Sequence, residues 1–444
     1  MKKIILILMI ATFTYGLFAE ILTLDIAKKL ALLNNPELLA AEEANKASKT
    51  NLWKTYLSVV PSATLSGNAT YFDETQTMQN GIDEYDASSS YQLLVNQPLF
   101  NGGKVWLGAG ISTDAHKISN ASYTSTKLST IVNLEKKYFA VLKSKTLLEI
   151  AEKNLQNSTT NAEIAKVKYE AGTLSKAGSL QLLSEQANKE VNQIQAETMY
   201  QTSLLDLTNF LQLDNITEME EVDKNLYEIE LEKLKELNIN EIGILVEEIM
   251  NLGLSQNPTL KISEYSVKTS SKSMLMAGGN FLPTFNLQYS KRWSKYDFED
   301  EYTDGVGQLG LNISLPIFPL VDNGLEVATA RHNLKQAKYN LQYAENSIEL
   351  AIKSSVLNMV SAAKTVYSSQ LSLEYSSETY KQMKERFING QITANELLST
   401  EIMYTSAQNQ FATSFYDYLT AKSSLMQLMG TEDLEQLNKI IKGI

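Results

Sequence analysis

The feature that most constrains this chain is a long stretch without internal proline that occurs twice. One copy runs from Pro98 to Gly172, and a second copy of equal length runs from Pro316 to Gly390, with no proline after Pro319. Both copies are rich in Ala, Leu, Lys, Glu, Gln and Ser, which favour or tolerate a helix. Because each residue adds about 1.5 Å, each copy predicts a helix roughly 100 Å long. Ordinary globular domains do not use helices of this length.

Other marks of the sequence repeat in the same order. Pro36 and Pro61 match Pro258 and Pro283 at one fixed separation, and a Leu-Leu-Ser triplet follows each terminal glycine. The separation between the copies changes at only two places, which predicts a loop at each because loops tolerate insertions. The chain is therefore predicted to be a tandem duplication of a unit of about 190 residues.

The duplication also predicts the domain boundaries. Residues 1–19 combine a short basic region, an apolar run and a final Ala, which is typical of a secretory signal peptide; a membrane anchor is the alternative. The first repeat is predicted at 20–213, with a β-hairpin at about 62–100, a long helix at about 102–171 and a return helix at 180–213. The second is predicted at 247–430, with a hairpin at about 284–318, a long helix at about 322–389 and a return helix at 394–430. An acidic connector at 214–246, expected to pack outside the main body, separates them, and a tail follows at 431–444.

Each predicted hairpin has one apolar and one small-polar face. The last strand shows the alternation best, with Leu309, Leu311, Ile313, Leu315 and Ile317 on one face and Gln308, Gly310, Asn312 and Ser314 on the other. Lys291 interrupts the apolar row of the preceding strand. Strands of about 11 to 13 residues suit a tilted transmembrane strand, and aromatic residues at both strand ends are typical of an outer-membrane barrel. The alternative is the edge of a soluble β-sandwich.

Two hairpins supply four strands, which cannot close a barrel within one chain. Because lipid does not tolerate open sheet edges, those edges are expected to pair with other copies, and three copies would supply about twelve strands. On the second long helix, a coiled-coil seam is formed by Leu334, Ala337, Leu341, Ala344, Ile348 and Ala351. The predicted fold class is mostly α with transmembrane β: a trimeric 12-stranded β-barrel, four strands per chain, continued by a long α-helical barrel.

Signatures of catalysis, cofactor binding and metal binding are not found in the sequence. The chain has no cysteine, and neither of its two histidines, His116 and His332, has a metal-ligating neighbour at i+4. Gly102-Gly103-Lys104 lacks the spacing of a phosphate-binding loop. The formal net charge of −12 argues against a nucleic-acid partner. The sequence therefore predicts neither an enzyme nor a cofactor or metal site.

The order of these motifs resembles the TolC family of outer-membrane efflux proteins over about residues 22–430. The resemblance rests on Asn-Pro, Pro-apolar-Phe, Asn-Gly, an aromatic-x-x-Gly turn and Leu-Leu, in that order and given twice, with Asn101-Gly102 and Asn323-Gly324 as the Asn-Gly pairs. It implies a homotrimeric channel-tunnel that crosses the outer membrane and its lipid as a β-barrel and the periplasm as helices. Such a tunnel is the exit duct of a tripartite efflux or type I secretion system. Its partners would be a periplasmic adaptor protein and an inner-membrane pump of RND or ABC type, and residues 214–246 would form the equatorial region.

The resemblance also implies where the partners bind. The turns Gly172-Thr173-Leu174 and Gly390-Gln391-Ile392 would be the periplasmic tips that contact the adaptor. Family members close the mouth with Asp, Tyr and Arg, but the matching positions here hold Gly178, Phe387 and Ile392, so that polar lock is absent.

Two lumen gate candidates follow, Glu396 and Phe387. Glu396 matches an acidic residue that forms a ring in the lumen of relatives, whereas by helix chemistry it could instead cap its own helix, with Asn395 or Thr393 as the N-cap. A non-conducting coiled-coil surface protein or adhesin is the alternative function. Within the channel class, small-molecule efflux and protein secretion both fit the sequence.

Overall fold

The computed structural model describes residues 21–78, 84–297, 299–318, 320–432 and 434–443, so the predicted signal peptide lies outside the described residues. In chain order the elements are α1 (Leu24–Asn34), α2 (Pro36–Leu57), β1 (Ser62–Thr77), β2 (Glu84–Asn101), α3 (Lys104–Glu170), α4 (Lys176–Leu211), α5 (Glu228–Glu236), α6 (Ile239–Gln256), α7 (Pro258–Gly278), β3 (Thr284–Tyr296), β4 (Thr303–Asp304), β5 (Gln308–Ser314), α8 (Leu320–Ile388), α9 (Ala394–Met429) and α10 (Leu434–Gly443). Short 3-10 turns lie at Lys224–Tyr227 and Gly279–Phe281.

The two proline-free stretches form the two longest of these helices. Helix α3 has 67 residues and α8 has 69. Each is followed by a glycine with positive φ, Gly172 after α3 and Gly390 after α8. The prediction of a mostly helical fold with two very long helices is confirmed. Among the described helices, none is both long and apolar enough to cross a lipid bilayer.

The strands form one antiparallel sheet in the order β1-β2-β3-β4, with β5 also paired to β3. The register sets apolar residues opposite apolar ones: Leu65 faces Leu93, and Leu287 faces Leu311. Because directly opposed residues share a face, one side of the sheet is apolar and the other is polar. The prediction of two hairpins, each with these two faces, is confirmed.

The return strand of the second hairpin differs from the expectation, because it is divided into β4 and β5. The division lies at Gly305 and Gly307, where the chain passes unusually close to β3. A Cβ on Gly305 would lie 2.0 Å from the carbonyl oxygen of Arg292, and one on Gly307 would lie 2.7 Å from Tyr289 Oη. Three residues of the return strand, 305–307, stand opposite two of β3, 291–292, and the one extra residue forms a bulge that the alternating pattern of the flanking strand does not reveal.

The chain divides into two compact units. One holds the chain up to Ala40, Thr124–Asn257 and the chain from Ser347 onward; the other holds Ala41–Tyr123 and Pro258–Asn346. The first unit is a helical bundle with a continuous apolar core, in which Leu134, Ile352 and Leu419 are buried. The second unit contains the whole sheet.

The connector packs into the core of the first unit, so the expectation that it lies outside the main body is wrong. Leu234 of α5 is fully buried, and Met219 forms a single parallel β-bridge with Leu22. Glu230 accepts hydrogen bonds from Tyr418 Oη and from Lys422 Nζ, each at 2.6 Å. The acidic composition of the connector hid these apolar anchors and this buried ion pair.

Candidate functional site

The first predicted tip is the turn between α3 and α4. Gly172 has φ of +76°, and no heavy atom lies within 4 Å of where its Cβ would be, so conformation alone favours glycine here. The amide of Gly172 donates to the Tyr169 carbonyl (2.9 Å), and the amide of Thr173 donates to the Lys168 carbonyl (2.8 Å). Ser175 then begins α4 by accepting from the Gly178 amide at 3.1 Å. The chain can reverse within a few residues because the amides of the turn donate to carbonyls in the last turn of α3 that have no partner within the helix.

The second tip, between α8 and α9, repeats this pattern. Gly390 has φ of +71°, its amide donates to the Phe387 carbonyl (3.0 Å), and the Gln391 amide donates to the Arg386 carbonyl (2.9 Å). Thr393 takes the place of Ser175 as the N-cap residue of the helix that follows. The backbone hydrogen bonds of Gly172 and Thr173 therefore recur at Gly390 and Gln391, because the same local sequence pattern directs both turns.

The two turns lie side by side at one end of the helical unit. A small core holds them together, made of Ala165, Leu182, Tyr380, Phe387, Ala394 and Leu397, with Leu174 and Ile392 packed against it. Lys168 Nζ lies 5.6 Å from the centroid of the Phe387 ring and 3.9 Å from the Cβ position of Gly390. Thr173 and Gln391 are exposed, whereas Leu174 and Ile392 are half-buried. Of the six predicted tip residues, the two glycines and their two exposed neighbours form the outer surface.

Phe387, one of the two predicted gate residues, is buried in this small core. Its side chain is only 1% exposed. A ring in that position lines no solvent-filled space in this conformation. It supports the packing of the two turns instead.

Glu396, the other predicted gate residue, lies in the first turn of α9. Its Oε2 accepts from the Thr393 amide (2.7 Å) and from Thr393 Oγ1 (2.9 Å), while its own amide donates to Thr393 Oγ1 (3.3 Å). This reciprocal arrangement is a capping box. The hydrogen bonds from Thr393 and, secondarily, the charge of Arg386 lower the pKa of the Glu396 carboxyl. The side chain remains exposed.

A buried polar cluster that the sequence analysis missed lies on three of the same helices, α3, α8 and α9. Asn161 of α3 donates through Nδ2 to Tyr380 Oη of α8 (3.0 Å) and to Glu401 Oε2 of α9 (2.9 Å). Glu401 is only 2% exposed, and its Oε1 has no hydrogen-bond partner among the described residues. Burial raises the pKa of the Glu401 carboxyl, against the opposing effects of Asn161 and of nearby Lys189 and Lys384.

A cavity of about 280 Å³ adjoins this cluster. Lys189 and Thr405 line this cavity, and Lys189 is also one of the lysines near Glu401. Lys189 Nζ lies 3.1 Å from Glu185 Oε1 and 3.4 Å from Thr405 Oγ1. In the sequence, the one signal for this cluster was Glu401 itself, an acid four residues after Leu397 and therefore on the same face of the helix as that apolar residue. That signal is weak, because its partners lie far away along the chain. The described residues contain no group of three or more potential metal-ligating acids or histidines.

Comparison with known proteins bears on both the fold and the function. The model of the outer membrane efflux protein family matches residues 28–211 and 249–431. Outer membrane protein TolC of Salmonella enteritidis is 23% identical over 429 residues, which cover 93% of this chain and 83% of TolC. The alkaline protease secretion protein AprF of Pseudomonas aeruginosa is 21% identical over 436 residues, covering 93% and 85%.

Solved structures share the fold over almost the whole chain. The CmeC outer membrane channel of Campylobacter jejuni superposes with a TM-score of 0.77 at 17% identity, covering 95% of this chain and 89% of CmeC. The transmembrane channel protein CusC superposes with a TM-score of 0.78 at 14% identity, covering 91% of each chain. With two family matches that span most of its length, this chain belongs to the outer membrane efflux protein family and is a protein of the outer membrane.

Proposed function

We propose that this chain forms a homotrimeric channel-tunnel, the exit duct of a tripartite efflux or type I secretion system. The observation that carries the proposal is the sheet with two open edges and an uncovered apolar face. Among the described strands, β1 pairs only with β2, and β5 pairs only with β3. Leu309 and Ile313 of β5 are 71% and 62% exposed. A sheet of this kind needs both neighbouring strands and lipid.

Three copies satisfy both needs at once. Edge-to-edge pairing of three sheets would close a barrel, the apolar face would contact lipid, and the polar face would line water. The helices would then extend into the periplasm. The alternative of a non-conducting adhesin would leave the alternating polar face without a role.

The oligomer and the conductance are tested together. Detergent-extracted protein should be a trimer by light scattering, and it should open aqueous channels in a planar bilayer. A monomer or a dimer in mild detergent would refute the closed barrel. A stable trimer that never conducts would favour the adhesin.

The two stretches that match the family are proposed to be two copies of one ancestral unit. Residues 214–246 join them and are proposed to form the equatorial region, anchored in the bundle core beside Leu22 and Tyr138. The backbone hydrogen bonds that the turns at Gly172 and Gly390 share support the same origin.

The adaptor is proposed to bind at the exposed surface of the two turns, with an inner-membrane pump of RND or ABC type behind it. Thr173→Trp and Gln391→Trp would add bulk there without touching the small core. Export should be lost while the trimer still forms. Thr198→Trp is the matched control, because Thr198 is also exposed and also donates its hydroxyl to a backbone carbonyl, but within α4. Export that survives both tip changes would exclude the turns as the docking surface.

Glu396 is retained as a candidate for a lumen ring, because its side chain is exposed. Three such carboxylates near the tips would favour cations. Glu396→Gln should then weaken cation selectivity in single-channel recordings. Unchanged selectivity in an intact trimer would leave Glu396 with its helix-capping role alone.

A further inference from the structure

The central rows on the polar face of the sheet carry one charged side chain among neutral residues. The register brings Ser66, Gln92 and Arg292 into one row across β1, β2 and β3. The neighbouring rows on this face contain Thr64, Leu94, Ser290 and Gln308 on one side and Asn68, Ser90, Ser294 and Thr303 on the other. Arg292 is therefore the only charged residue of these three rows.

Arg292 is exposed and lies along the polar surface. Its Nη2 donates to Ser90 Oγ at 3.1 Å. No described carboxylate forms an ion pair with it. The positive charge is therefore held in place by a neutral hydroxyl and is not cancelled locally.

The adjacent Lys291 provides the contrast, because it lies on the apolar face. Its Nζ lies 2.8 Å from Asp304 Oδ1 and 5.1 Å from the centroid of the Trp293 ring. The lysine is thus paired with a carboxylate and covers an aromatic ring. The same charge is neutralised on one face of β3 and left free on the other.

We propose that Arg292 is a selectivity-determining residue: three copies form a ring of positive charge on the lumen of the barrel and favour anions there. This inference rests on the proposed trimeric channel. Thr70 stands at the position of the first repeat that matches Arg292, as Pro61 matches Pro283. The ring therefore contains three arginines and not six.

The dimensions of such a barrel make the ring effective. Twelve strands about 4.8 Å apart, tilted by roughly 40°, give a backbone diameter of about 24 Å. A guanidinium that stands roughly 5 Å off the wall is then about 7 Å from the axis, within the Debye length of about 10 Å at 0.1 M salt. Every passing ion would feel all three charges.

The size of the effect follows from the same distances. Three unit charges about 7 Å away in water, screened at 0.1 M salt, enrich anions on the axis by about four-fold. At 1 M salt, where the Debye length is about 3 Å, the enrichment nearly disappears. The sign is opposite to the cation preference expected from the net charge of −12.

The test is the reversal potential of single channels in a KCl gradient. The potential that enriches anions about four-fold depletes cations by the same factor, so Arg292→Gln should lower the chloride-to-potassium permeability ratio by about ten- to twenty-fold near 0.1 M, and by less than about two-fold near 1 M. Lys291→Gln, which removes the same charge from the other face, should leave the ratio unchanged. An unchanged ratio in a conducting Arg292→Gln trimer, or an equal shift from Lys291→Gln, would overturn the inference.

The absence of cysteine allows a rescue experiment in the same channels. Arg292→Cys should react with a water-soluble cationic thiol reagent, and the restored charge should return the wild-type permeability ratio. Lys291→Cys should not respond. A conducting Arg292→Cys channel that does not react would show that the position is not in the lumen. If the wild-type trimer does not conduct, the proposed channel is refuted and the ring with it.

Discussion

The helical unit and the sheet use apolar side chains in opposite ways. In the helical unit, Leu134 is fully buried and Val356 lies in the same core. In the sheet, Leu309 and Leu311 are more than half exposed although they alternate as strictly as any core residue. The helical unit therefore completes its core within one chain, whereas the sheet needs surroundings that one chain does not supply.

Charged residues show the same division. The helical unit buries Lys422 together with Glu230, with side chains only 5% and 11% exposed. Such a pair is stable only while both partners are present. The sheet keeps its charges at accessible positions such as Arg292. The comparison teaches that one unit is sensitive to substitutions in its interior and the other to substitutions on its surface.

The largest expected effect comes from breaking the buried ion pair. Lys422→Met would leave the Glu230 carboxylate buried without its cation, which should lower the free energy of unfolding by about 3 to 5 kcal/mol. Lys143→Met removes a lysine from the more exposed pair with Asp417 (3.2 Å) and should cost at most about 1 kcal/mol. Urea unfolding in detergent compares the two. Equal losses would mean that the Lys422 pair is solvated like a surface pair.

The next effect distinguishes the two faces of β5. Leu311→Lys would place a charge on the face proposed to contact lipid and should destabilise the inserted barrel by about 2 to 4 kcal/mol. Asn312→Lys, one residue further on the opposite face, should be tolerated. The measurement is the yield of folded trimer in lipid vesicles. Equal tolerance of both lysines would contradict the assignment of the apolar face.

A smaller effect is expected at the tips. Gly390→Ala would force a Cβ into a left-handed conformation and should cost about 1 to 2 kcal/mol. Gly324→Ala, in the regular part of α8 with open space around it, should instead stabilise by up to about 1 kcal/mol. Thermal unfolding of the two variants should therefore shift in opposite directions. A destabilising Gly324→Ala would contradict this.

The smallest expected effect is a difference between Glu401 and Glu396, two acids of α9, in how their contributions to stability depend on pH. Burial raises the pKa of Glu401 in the folded chain above its usual value of 4.5, so its contribution to stability is present below that value and is lost as the pH rises through the folded pKa. The pKa of Glu396 is lowered by Thr393, so its contribution is present above 4.5 and is lost as the pH falls.

Glutamine variants measure this contrast in unfolding experiments between about pH 2 and 8. Glu401→Gln should gain stability relative to wild type as the pH rises. Glu396→Gln should be less stable than wild type at neutral pH, and its stability should approach that of wild type in acid. If the stability of the two variants depended on pH in the same way, burial would not be what sets the pKa of Glu401.

Local features were predictable because they depend on neighbours along the chain. The turns at Gly172 and Gly390 required glycine for a positive φ, and the aromatic-x-x-Gly pattern located both. The two faces of the hairpins followed from alternation alone. The role of Glu396 at the helix start was an open alternative, and its three-residue spacing from Thr393 is what produces the capping box.

Features that depend on distant pairing were not predictable in this way. Asn161 and Glu401 are 240 residues apart in the chain and meet only when the helices pack. The buried connector and the division of the last strand at Gly305 likewise depend on surfaces that the segment itself does not contain. The sequence by itself determined the long helices, their turns and the alternating strands, because periodicity and backbone preference act over a few residues. Only the tertiary structure decided which polar groups are buried and which charges stay free, because those outcomes are set by helices and strands packed together from remote parts of the chain.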